Sequence, residues 1–189
     1  REELLLGNKV ENVIVSGASG GVGSIAVMIL NKLGCNVTAV SSKDNNTEYL
    51  KTLGAKNIVK TSELTKDSRP LDKGHWDGAV DTVGGKVLEN ILSQTKDGGI
   101  VAACGNAADI KLNTTVMPFI IRGVKLWGIN SVNVSTNRRQ FLWNEVSKLV
   151  DFDLLNQSVK EINLEDLINV FPKMLKGETT GRYIINLNI

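Results

Sequence analysis

The chain has 189 residues, 42% hydrophobic and 22% charged, with a formal net charge of +2. This balance excludes a disordered segment, and two Cys exclude a disulfide scaffold. The longest apolar run, residues 25–30, is far short of the roughly 20 residues that cross a bilayer, and interspersed charges give no footprint for nucleic acid or membrane. Sparse Cys and the lack of a signal-peptide pattern point to a reducing, cytoplasmic setting.

The chain opens on R-E-E-L-L-L, which reads as the end of a helix and as part of a longer protein. Short β-branched runs then alternate with longer helical ones, the pattern of stacked βαβ units on a parallel sheet. Strands are expected at 12–17, 36–41 and 57–60, with helices at 21–33 and 47–53 between them, closed by Gly34 and Gly54. Residues 62–74 are polar, contain Pro70 and read as a loop with at most one helical turn. A strand at 78–83, a helix at 86–94 and a strand at 99–105 follow. Residues 106–115 read as a surface loop, and a short helix starts at Met117, with Pro118 where its missing N–H does no harm. A sixth strand is expected at 124–130 and an amphipathic helix at 136–150. Six strands complete a Rossmann-type doubly wound parallel sheet, so the strand–helix–strand tail at 159–162, 164–176 and 182–187 is extra and fits a second domain.

The strongest chemical signal is G-A-S-G-G-V-G at 17–23, between the first strand and the first helix. Small residues permit a tight turn, a dinucleotide pyrophosphate must approach that backbone closely, and the helix beyond it offers N–H groups and a positive dipole end. Against G-x-G-x-x-G the first glycine is replaced by Ala18. The same residues fit G-x-x-x-G-x-G of short-chain dehydrogenases, but that family needs Tyr-x-x-x-Lys. Here Leu53 follows Tyr49 and Leu187 follows Tyr183 at that spacing. At the end of strand two, where an acidic residue selects NAD, stand Ser41, Ser42 and Lys43. Two hydroxyls and a cation suit a 2′-phosphate, which favours NADP; Asp44, next in line, enters the site only if the strand end is misplaced by one residue.

Further motifs extend along the chain: V-I-V-S-G-A-S-G-G-V-G-S at 13–24, E-Y-L-K-T-L-G-A at 48–55, D-T-V-G-G at 81–85, V-A-A-C-G-N at 101–106, T-T-V-M-P-F-I-I-R-G-V at 114–124 and W-G-I-N-S-V at 127–132. Together they resemble the medium-chain dehydrogenase/reductase superfamily. Within it they are similar to the zinc-independent YhdH/YhfP-type quinone oxidoreductases, also described as acrylyl-CoA reductases. The resemblance implies NADPH-dependent reduction of a quinone or an activated carbon–carbon double bond. It implies residues 1–11 as the end of a linking helix, 12–151 as the NADP-binding domain and 152–189 as a tail returning to a GroES-like catalytic domain outside this chain. By position it places Ser19, Gly20, Gly21 and Val22 on the pyrophosphate, Ser41, Ser42 and Lys43 on the 2′-phosphate, and Asn106, Ile120 and Ser131 along the adenosine–nicotinamide groove. The tail near Gly177 faces the cofactor in relatives. The equivalent of strand six pairs with its two-fold mate in relatives, so a homodimer through that edge is expected.

No catalytic residue is assigned, because the Tyr that approaches the cofactor in relatives comes from the other domain. Cys35 and Cys104 have no Cys or His neighbours in sequence and read as small buried residues, not zinc ligands. His75 reads as a surface residue. Asp81 either shapes the site or caps the strand end. Trp127 and Trp143 read as packing anchors, while Met117 and Phe119 face either nicotinamide or core. Two other readings compete with a reductase. One is a non-catalytic NADPH-binding redox sensor. The other is a methyltransferase, which expects an acidic residue where Ser41 stands.

Overall fold

The computed structural model describes residues 10–187; the helix end expected at residues 1–6 lies outside them. Six parallel strands form one sheet: β1 (Asn12–Val15), β2 (Asn36–Ser41), β3 (Asn57–Lys60), β4 (Trp76–Asp81), β5 (Thr95–Ala103) and β6 (Lys125–Gly128), in the order β3-β2-β1-β4-β5-β6. The chain winds outward from β1 to β3, then returns to β4 and winds the other way. A crevice therefore opens beyond the carboxyl ends of β1 and β4.

Period-two alternation along the strands divides the core between the two faces. Val13, Val15, Val37 and Ala39 meet α1 (Gly23–Lys32) through Val27 and α2 (Thr47–Thr52) through Leu50. On the other face Ile14, Val40, Ala79 and Val101 pack with Val87, Leu88, Ile91 and Leu92 of α3 (Gly85–Ser93) and its end. Strands buried on both sides explain why the sequence shows continuous apolar runs there.

The short helix α4 (Met117–Arg122) ends at Gly123 in the left-handed region. Arg122 of the T-T-V-M-P-F-I-I-R motif has a structural task. Its Nη1 donates to the carbonyls of Ser93 and Thr95 at 2.9 and 3.0 Å, capping the exit of α3. Phe119 packs into the core and Pro118 is buried.

Beyond the sheet run α5 (Thr136–Ser147), α6 (Phe152–Gln157), β7 (Val159–Ile162), α7 (Leu167–Leu175) and β8 (Arg182–Ile185); β7 and β8 form a separate two-stranded parallel sheet. The sequence did not point to α6, which Asp151 caps by accepting from the N–H groups of Asp153 and Leu154. Three expectations are corrected. Trp143 is 65% exposed and no residue of α5 is buried within the described chain, so this helix anchors no core there. Trp127 is also half exposed, because β6 is an edge strand. Cys104 is exposed because it lies just past the end of β5; Cys35 is buried as expected. His75 is at the surface, tilted against Trp76. No helix among the described residues is long and apolar enough to cross a membrane.

Candidate functional site

The glycine turn leaves β1 at Gly17, whose φ of +57° suits glycine. A Cβ there would collide with Thr82 Oγ1, and one on Gly23 would meet the Gly17 carbonyl and sit 2.7 Å from Ala18 Cα. These two glycines let the turn lie flat against β4 and let α1 start directly beneath it. Ala18 N–H donates to Val40 O at 3.1 Å, which ties the turn to β2, and Gly20 N–H donates to Gly17 O at 3.0 Å, which closes the turn on itself. Ala18 is fully buried, which explains why a methyl group is accepted in place of the usual first glycine. The opening N–H groups of a helix have no acceptor within it and carry the positive end of its dipole, an anion-binding arrangement.

Asp81 holds the neighbouring strand ends in place. It is fully buried. Its Oδ1 accepts from Ser16 Oγ at 2.6 Å and its Oδ2 from Gly84 N–H at 2.9 Å. Ser16 Oγ accepts in turn from Thr82 N–H at 2.9 Å, and Thr82 Oγ1 donates to Ser16 O at 3.0 Å. Asp81 therefore both caps β4 and shapes the crevice. Cys104 folds its thiol onto Asp81 O at 3.3 Å; desolvation there, and then the Asp81 charge, push the thiol pKa up. Burial does the same to Cys35. Neither is an activated thiolate. Among the described residues no three His, Cys, Asp or Glu side chains are grouped to hold a metal ion.

The resulting cleft holds about 370 Å³. Gly17, Ser19 and Gly20 form one wall, and Ser41 and Ser42 another. Thr82, Val83, Ala107 and Ala108 close the third side, with Gly177 and Thr179 of the tail at the mouth. Of the residues singled out in the sequence, Ser19, Gly20, Ser41 and Ser42 line this space directly. Gly21 lies under the Arg182 side chain, and Val22 is exposed on the far side of the turn. Lys43 extends from the end of β2 to donate from Nζ to Thr179 O at 2.7 Å, which brings its ammonium to the rim. Burial lowers its pKa, Glu178 opposes that shift and Lys160 adds to it. Asp44 starts a short 3₁₀ turn and pairs with Lys60 at 2.9 Å rather than entering the cleft.

Three further singled-out residues stand outside the lining as well. Asn106 is exposed beside the Gly84 turn, one residue short of the lining Ala107. Ile120 is 68% exposed on α4. Ser131 lies in the loop after β6, its carbonyl accepting from Arg139 Nη2 at 2.9 Å. Sequence reasoning missed Thr179, Thr180 and Arg182; only the unusual density of small and hydroxyl residues at 177–181 hinted at a close backbone approach.

Comparison with known proteins bears on the family and the fold. Residues 21–152 match the model of a family described as zinc-binding dehydrogenase. The chain is 44% identical over 176 residues to the probable acrylyl-CoA reductase AcuI of Escherichia coli, covering 93% of this chain and 54% of that protein. It is 39% identical over 178 residues to the putative quinone oxidoreductase YhfP of Bacillus subtilis, with the same coverage. The chain thus spans about half the length of the curated relatives it matches. The crystal structure of the yhdH oxidoreductase from Salmonella enterica in complex with NADP superposes with a TM-score of 0.93 at 42% identity, covering 99% of this chain and 57% of that one. The sheet order, the glycine turn and the match over 21–152 lead to one conclusion: the chain belongs to the zinc-binding dehydrogenase family.

Proposed function

We propose that this chain is the NADPH-binding portion of a zinc-independent reductase acting on a quinone or an activated carbon–carbon double bond, such as an enone or an acrylyl-CoA-like thioester. The observation that carries this reading is that the glycine turn and the Ser41–Ser42–Lys43 bend share one cleft, with a cation and no carboxylate at the end of β2. Ser19 and Gly20, at the start of α1, would receive the pyrophosphate. Ser41, Ser42 and Lys43 would receive the 2′-phosphate. NADPH, when bound, supplies the hydride. The residues of this chain bind and orient it; the substrate pocket and the proton donor are assigned to a GroES-like domain to which the tail, 152–189, returns. The names of the E. coli and B. subtilis relatives and the NADP bound to the Salmonella protein support this reading.

Fluorescence titration of NADPH and NADH tests it. NADPH should bind at least several-fold tighter, and Lys43→Glu should reverse the preference, because a carboxylate repels the 2′-phosphate and accepts from a free 2′-OH. Equal affinities in the wild type would overturn the reading.

We further infer a cytoplasmic homodimer, paired through β6, with no nucleic-acid or membrane partner. β6 is the sheet edge, and Trp127 and Ile129 on and beside it are half exposed. Leu126→Pro removes a backbone donor from that strand and should dissociate the dimer. A concentration-independent monomer mass for the wild type by light scattering would refute the pairing.

A further inference from the structure

Four consecutive tail residues each bond a different residue of the two turns that flank the cleft. Thr179 O accepts from Lys43 Nζ at 2.7 Å, and Thr180 Oγ1 donates to Asn46 Oδ1 at 3.0 Å. Gly181 N–H donates to Ser19 O at 2.9 Å, and Arg182 Nη2 donates to Gly21 O at 2.5 Å. The partners divide into two pairs. Ser19 and Gly21 belong to the glycine turn, which meets a part common to all dinucleotides. Lys43 and Asn46 belong to the turn after β2, which meets the part that differs between NADP and NAD.

Asn46 is the unusual member. It is 3% exposed, and its Nδ2 has no hydrogen-bond partner. Its Oδ1 is fixed by Thr180. A buried amide is costly unless paired, so Asn46 holds Thr180 in one position. Thr180 is joined by a peptide bond to Thr179, whose carbonyl anchors the Lys43 ammonium. That anchor matters because a Lys side chain is a point charge on a flexible stem, with no geometry of its own to aim it.

We propose that Asn46 is a positioning residue for cofactor choice: by fixing Thr180 it sets the Thr179 carbonyl and, through it, the Lys43 ammonium, so that selectivity for a 2′-phosphate depends on the docked tail as well as on the β2 turn. The proposal rests on the NADP reading above. It predicts a differential effect, because Gly181 and Arg182 still hold the tail to the glycine turn when the Thr180 contact is lost.

The test is a titration of the full chain with NADPH and with NADH, for the wild type, Lys43→Gln, Thr180→Val and Thr180→Ser, with far-UV dichroism confirming the fold of each. Thr180→Val keeps the side-chain shape and removes the donor; Thr180→Ala is a second route to the same loss should the valine variant fail to fold. The expected result is that Lys43→Gln abolishes the NADPH preference. Thr180→Val should weaken NADPH about fivefold, the worth of one hydrogen bond, and leave NADH within about twofold. Thr180→Ser should restore the wild-type ratio. Equal losses for both nucleotides would make the contact merely structural and overturn the proposal, as would unchanged NADPH affinity in Thr180→Val. A wild type without preference, or a Lys43→Gln variant that keeps it, would overturn the NADP reading and this proposal with it.

Discussion

Replacing Asp81 by Asn exchanges one oxygen for an NH₂ group at the centre of the site's scaffold. The wild-type carboxylate accepts on both sides, from Ser16 Oγ at 2.6 Å and from Gly84 N–H at 2.9 Å, in a residue with no exposure to solvent. An amide can satisfy only one of them as an acceptor. If its oxygen faces Ser16, its NH₂ opposes the Gly84 N–H, donor against donor. If it is turned, the NH₂ meets a Ser16 hydroxyl that already accepts from Thr82 N–H, and the serine proton loses its acceptor. Either way one hydrogen bond to a charged group is lost, about 1.5–3 kcal/mol, and a buried donor is left unpaired, about 1–3 kcal/mol. The expected loss is roughly 3–5 kcal/mol, which for a chain of this size lowers Tm by on the order of 10 °C. Urea unfolding followed by Trp fluorescence measures it. Ser16→Ala should cost less in the Asp81→Asn background than in the wild type, since the two side chains share one bond; the cost that remains is the acceptor lost to Thr82 N–H. A loss below about 1 kcal/mol, or fully additive effects, would show that this network does not brace the crevice.

Two further outcomes follow from the same geometry. Gly23→Ala should gain up to about 1 kcal/mol in helix propensity and lose more to the collision of its Cβ with the backbone of Gly17 and Ala18. The net effect should be a loss of roughly 1–3 kcal/mol, with NADPH binding weakened more than tenfold; a variant that melts and titrates like the wild type would contradict it. At Asp77, burial raises the carboxyl pKa, but the Lys96 hydrogen bond at 2.9 Å, the N–H groups of Asn12 and Glu11 and the Lys96 charge together bring it below its ordinary value. Its stabilising effect is therefore present above the unfolded carboxyl value of about 3.9 and fades as pH falls through the lower folded value. Asp77→Asn should cost stability at neutral pH, and the gap to the wild type should close in acid; a gap that stays constant down to about pH 2 would refute this.

The central strands were legible because Asn12–Val15 and Asn36–Ser41 are buried on both faces, which writes itself into the sequence as continuous apolar runs. The edges of the pattern were less so. β5 starts at Thr95, four residues before the expected 99, because Thr95 pairs with Trp76 across a register shift that Lys96, Asp97 and Gly98 disguise as a turn. The six residues of α6 are too few to show a helical period. On α5 the apolar spacing was visible, but spacing records that a face exists, not what covers it; Phe141 and Trp143 are exposed in this chain. At the site, the glycine turn and the bend after β2 were readable because each is local. The tail contacts were not, since Thr180 and Asn46 lie 134 positions apart and Arg182 and Gly21 lie 161 apart. Cys104 misled because cysteine is usually buried, whereas this one sits at a strand's exit.

Those separations also impose an order in time. The sheet can assemble once β6 has left the ribosome, since β1 to β6 are contiguous in the chain. The brace across Ser19, Gly21, Lys43 and Asn46 waits for residues 179–182 to be made. In a nascent chain halted after β6 the glycine turn and the turn after β2 would thus lack their tail contacts. A dinucleotide could then be captured before the tail docks, and the choice between NADPH and NADH would sharpen only when residues 179–182 reach the crevice.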